Sequence, residues 1–66
     1  MSNIFEFDDG SYYYIEKQGD NLIAGTACNI GLIPQYEIKY DDSFSYDQNL
    51  ETLYYEILDK KLAEGL

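Results

Sequence analysis

The sequence predicts an α+β fold: a four-stranded antiparallel meander with one C-terminal α-helix packed on one face, in two layers. Three observations carry this. Apolar and polar residues alternate through 4–7 and 36–40, turn-forming pairs with glycine punctuate the first half, and from Tyr46 onward the apolar spacing changes to three and four. At 66 residues the chain is one domain, 1–66. A chain of this size buries only about 60% of its unfolded surface, so one thin core is all it can build.

The elements follow in order. Phe5 and Phe7 fall on one face of a first strand, Ile4 and Glu6 on the other. Asp9 and Gly10 have the chemistry of a two-residue type I′ hairpin, which would pair Phe7 with Tyr12, Glu6 with Tyr13 and Phe5 with Tyr14. Gly19 and Asp20 form a second tight turn, followed by a third strand over 21–29. The segment NIGLIP, 29–34, reads as a longer connection because Gly31 and Pro34 both interrupt a ladder. Residues 36–40 form strand four. Ser45 followed by Gln48 is a capping-box pattern that opens a helix. Tyr46, Leu50, Leu53, Tyr54, Ile57, Leu58 and Leu62 then draw one apolar stripe, and Gly65 can end it.

Carried across the sheet, this register collects Phe5, Phe7, Tyr12, Tyr14, Ile23, Gly25, Ala27, Tyr36, Ile38 and Tyr40 on one face. The other face takes Ile4, Glu6, Tyr13, Ile15, Lys17, Leu22, Ala24, Thr26, Cys28, Glu37 and Lys39. Burying an unpaired charge costs several kcal/mol, so the helix is expected on the first face, which has fewer. Ile4, Tyr13, Ile15, Leu22 and Ala24 are then the candidate partner-binding residues, an apolar centre with a charged rim.

Composition narrows the function. Thirteen carboxylates against four lysines, net charge −9, argue against direct binding of nucleic acid or an anionic membrane surface. No apolar run approaches the roughly 20 residues of a membrane helix, and MSNIFEFDDG has no signal-peptide character. One cysteine, Cys28, expected as a half-buried strand residue, fits a cytoplasmic protein. With no His and no Arg, the common bases, nucleophile pairs and anion clamps are missing, so no catalytic residue and no cofactor is expected. Asp8 with Asp9 and Asp41 with Asp42 sit where aspartate serves turns. Lack of Arg, His, Trp and Val also fits an AT-rich coding source such as a phage or a low-GC bacterium.

These readings converge on a small acidic, non-enzymatic interaction or regulatory domain, binding a protein partner or itself through the open sheet face. A second reading is an acidic decoy of a basic nucleic-acid-handling protein, of the kind phages and mobile elements encode, using Asp41, Asp42, Asp47 and Glu51. The third is a divalent-cation site at 41–47. That segment departs from the EF-hand pattern at Tyr46 and Thr52, so no metal ligand is assigned.

Overall fold

The computed structural model describes residues 4–65; residues 1–3 and 66, including the start of the N-terminal stretch read above, lie outside the described residues. Four antiparallel strands form one open sheet in the order β1-β2-β3-β4: Ile4–Glu6, Tyr12–Gln18, Asn21–Cys28 and Gly31–Lys39. A single helix, α1, follows over Tyr46–Glu64. The α+β class and the element order match the sequence reading.

The first hairpin differs from it by one residue. Ile4 pairs with Tyr14, Phe5 with Tyr13 and Glu6 with Tyr12. The Phe7 carbonyl accepts from the Gly10 N–H at 3.0 Å, and the Phe7 N–H donates to the Ser11 carbonyl at 2.9 Å. The loop is therefore Asp8, Asp9 and Gly10, with Gly10 at φ +89°. This is the three-residue hairpin built on an ordinary turn plus a left-handed glycine, in place of the two-residue mirror turn. Asp9 fixes it, accepting from the Ser11 N–H at 2.9 Å and the Ser11 hydroxyl at 2.6 Å.

Because side chains alternate, that one residue decides which tyrosines go inside. The second turn, with Gly19 at φ +60°, keeps the expected β2–β3 pairing of Tyr14 with Gly25 and Ile15 with Ala24. On the far side Leu22 pairs with Ile38 and Ala24 with Tyr36. Phe5, Phe7, Tyr36, Ile38 and Tyr40 thus stay on the helix face as expected, whereas the two central strands are reversed. Ile15, Leu22 and Ala24 are buried against Leu53 and Ile57 of α1, and half-buried Tyr13 packs against them. Tyr12 and Tyr14 are exposed.

Aliphatic side chains fill the centre of this core and aromatic rings its margin. Tyr54 of α1 stacks on Phe7 at 5.1 Å and meets Phe5 edge-on at 5.4 Å; Tyr13 lies edge-on to Tyr36 at 5.4 Å. Burying each Leu or Ile side chain contributes roughly 1.5–3 kcal/mol. Rings placed at the margin can keep their hydroxyls near water. Of the predicted helix stripe, Leu62 alone is left exposed.

The NIGLIP segment is strand, not connection. Only Asn29 and Ile30 turn, and β4 starts at Gly31. Pro34 is admitted because β4 is an edge strand whose ladder is irregular there: Ala24 pairs with Tyr36 but Gly25 with Pro34, leaving Gln35 over. Gly25 makes that bulge possible, since a Cβ at this position would collide with the Ile33 carbonyl.

One polar residue belongs to the core. Asn49, 3% exposed, joins the β4–α1 connection to the helix. Its side-chain carbonyl accepts from the Asp41 N–H at 2.9 Å, and its amide donates to the carbonyls of Asp41 and Ser45 at 3.0 and 2.9 Å. The capping box predicted at Ser45 is present, with Gln48 N–H to Ser45 Oγ at 3.2 Å and Ser45 N–H to Gln48 Oε1 at 2.9 Å.

Two substitutions test these constraints by thermal unfolding. Gly25→Ala should destabilise by about 2 kcal/mol or more, because the obstructing atoms are backbone. Asn49→Ala should cost about 1–3 kcal/mol, since it leaves the part-buried N–H and carbonyl of Asp41 without the partners the Asn49 side chain supplies. Unchanged melting temperature for either would remove the corresponding role.

Candidate functional site

The helix covers one face of the sheet and leaves the other open. Register divides it in two. One half is charged: Glu16, Ile23 and Glu37 lie in one row, and Gln18, Asn21 and Lys39 in the next. Ile23 is buried here without joining the core cluster. The other half is apolar. Ile4, Tyr14, Gly25 and Pro34 form one row, while Tyr12, Ala27 and Leu32 follow two residues further along their strands.

Tyr12 is 55% exposed, Tyr14 39% and Ile4 39%. The Tyr12 and Tyr14 rings meet nearly at right angles, 76° between planes and 6.0 Å between centroids. They border an open depression of about 410 Å³ whose remaining walls are Gly10, Ser11, Tyr13, Thr26 and Ala27. The depression arises where the sheet parts. The β2–β3 ladder stops at Tyr14 and Gly25, whereas β1–β2 runs on to Tyr12 and β3–β4 runs on to Gly31. The β3–β4 hairpin therefore projects past β2, and Ile30 at its tip is 95% exposed.

Of the five residues expected to bind a partner, the structure leaves only Ile4 on this face. Tyr13, Ile15, Leu22 and Ala24 lie under the helix, because the three-residue loop and the β3–β4 register turn them inward. Tyr12 and Tyr14 take their place. Alternation in YYY narrows the choice to Tyr13 or its two neighbours, and the loop length together with the β3–β4 register decides it.

The acidic residues near the helix start divide as well. Asp41 accepts from the Ser43 N–H at 2.9 Å and the Ser43 hydroxyl at 2.6 Å, and these bonds hold its carboxyl below the usual range. Asp42, Asp47 and Glu51 are exposed. Among the described residues no three Asp, Glu or Cys side chains gather as a metal-ligand set. Cys28 is exposed, not half-buried, at the end of β3.

A feature absent from the sequence reading is the contact between the first loop and the helix. Lys61 Nζ lies 2.8 Å from Asp9 Oδ2 and passes over the rings of Phe7 and Tyr13 at 5.3 and 5.4 Å. Beside it Phe7, Asp8, Tyr54 and Leu58 help to line a smaller hollow of about 240 Å³. Hydrogen bonds from Lys61 and then Ser11 hold the Asp9 carboxyl well below its ordinary range, and the bond to Asp9 raises the Lys61 ammonium. Burial raises the Tyr36 hydroxyl, helped by the adjacent Tyr13.

No helix among the described residues is long and apolar enough to cross a membrane. Set against protein-family models, curated protein sequences and solved structures, the chain matches none of them.

The ion pair makes stability depend on pH at both ends. Asp9 has a folded value below its ordinary 3.8, so its contribution is complete above that pH and fades as pH falls through the folded value. Lys61 is raised, so its contribution is complete below its ordinary 10.5 and is lost as pH rises through the folded value. Asp9→Asn should lower the melting temperature at pH 7, with the gap to the parent narrowing below pH 4. A gap that stays constant down to pH 2 would show that the loop, and not the charge pair, carries the effect.

Proposed function

We propose that this is a non-enzymatic protein-interaction domain that engages a protein partner through the apolar half of its open sheet face. The observation that carries this is the pair of exposed rings, Tyr12 and Tyr14, at the edge of an open depression, with exposed Ile4 opposite Tyr14 on the same face and the projecting Ile30 tip beyond. Isolated exposed apolar residues need no explanation, but a contiguous set with a charged surround has the composition of an interface. Aromatic side chains are also the residues that most often dominate binding energy.

Charge selects the kind of partner. At net charge −9 a second copy would bring like charge against like, with Glu6, Glu16 and Glu37 all on the open face. A partner with an apolar patch bordered by lysine or arginine complements both halves at once. The decoy reading would use exposed Asp42, Asp47 and Glu51 instead; it is the competing outcome of the same experiment.

Tyr14→Asp should abolish capture of a basic partner while leaving helix content and melting temperature near the parent, because the ring is partly exposed. Ile15→Asp, one residue along but under the helix, should unfold the domain. Retained capture in Tyr14→Asp, together with loss on neutralising Asp42, Asp47 and Glu51, would move the site to the helix start. Binding through the apolar face should also tolerate salt better than binding through that acidic patch.

A further inference from the structure

The exposed tyrosine pair has a more specific chemistry than apolar contact. Three of the four lysines already lie over aromatic rings of this chain: Lys17 over Tyr40 at 4.8 Å, Lys60 over Tyr36 at 5.9 Å, and Lys61 over Phe7 and Tyr13. Among the described residues, no lysine lies over Tyr12 or Tyr14. Their rings stand nearly perpendicular at the edge of the depression and so offer a corner of two aromatic surfaces. Glu6 is the cross-strand partner of Tyr12 on the same face, and directly opposed side chains on a sheet have Cβ atoms about 5 Å apart. Its carboxylate has no ion pair among the described residues.

We propose that the Tyr12–Tyr14 corner, with Glu6, seats an arginine side chain of the protein partner. This rests on the open-face reading and deepens it. An arginine suits the corner better than a lysine. Its guanidinium is planar and weakly hydrated, so it can lie flat on one ring while its edge N–H groups reach a carboxylate; an ammonium is a compact, strongly hydrated point charge. The surplus of carboxylates over lysines draws the cation toward the face, and the two rings supply a place that plain charge attraction lacks.

The test uses the full chain, uniformly labelled with nitrogen-15, titrated by NMR with the peptide acetyl-Gly-Arg-Leu-Arg-Gly-amide. Its control replaces each arginine by citrulline, which keeps the planar shape without the charge. The expected result is shifts confined to Glu6, Tyr12, Tyr14 and Ala27, with affinity at least about fivefold lower for the citrulline peptide. Tyr12→Leu and Glu6→Gln, both at exposed positions, should each weaken the arginine peptide and leave the citrulline peptide unaffected. Equal binding of the two peptides at this face would overturn the arginine seat while leaving the open-face reading intact. Shifts centred on Asp42, Asp47 and Glu51, or no shifts at the face, would overturn the seat; capture by Tyr14→Asp then judges the wider reading separately.

Discussion

The three-residue loop at Asp8, Asp9 and Gly10 is the constraint on which the two faces of this protein depend. With Gly10 at φ +89° the hairpin closes between Phe7 and Ser11, which puts Phe5 and Phe7 on the same side as Tyr13 and Ile15. With that arrangement the buried Ile15, Leu22 and Ala24 meet Leu53 and Ile57 of the helix. Shortened by one residue, the same strands would set Phe5 beside Tyr14 and leave Ile15 facing water, a loss of roughly 1.5–3 kcal/mol for that side chain alone. Few small domains have that much to spare.

The loop is in turn held by the helix it makes room for. Asp9 organises the turn through Ser11 and receives Lys61 from the last turn of α1, where a cation also suits the helix dipole. An exposed ion pair adds little by itself. Here the lysine stem also covers Phe7 and Tyr13, so the contact seals one margin of the core as well as joining two charges. At the opposite end Asn49 does the corresponding task for the β4–α1 connection. The two ends of the helix are therefore tied to the sheet by polar contacts, and Leu53 and Ile57 between them meet the aliphatic core.

How far the sequence is legible follows from which information is local. The capping box at Ser45, the stripe through Leu53 and Ile57, and the strand alternation are set by residues a few positions apart, and each was readable. Hairpin register is not of that kind. Asp-Gly is compatible with both the two-residue and the three-residue loop, and the hydrogen bonds from Ser11 to Asp9 that favour the longer one lie outside the dipeptide. Pro34 misled for a related reason. It argues against a central strand, but β4 is an edge, and the opposing Gly25 lets the ladder slip past it. Both errors act on β2 and β3, so Tyr13, Ile15, Leu22 and Ala24 moved together from the candidate site into the core.

That joint movement explains why the open face survives as a candidate although most of its residues changed. Four strands with one helix must leave one face uncovered whatever the register. In YYY a slip exchanges one tyrosine for two: Tyr13 moves inside, and Tyr12 and Tyr14 come out. The apolar character of the open face is thus a property of the run, and register decides only which rings express it. Inside, Lys61 lies over the Tyr13 ring. Outside, two rings of the same kind stand beside Glu6 with no lysine over them among the described residues. In a protein with thirteen carboxylates and four lysines, the arginine seat proposed for this corner draws its positive charge from another molecule.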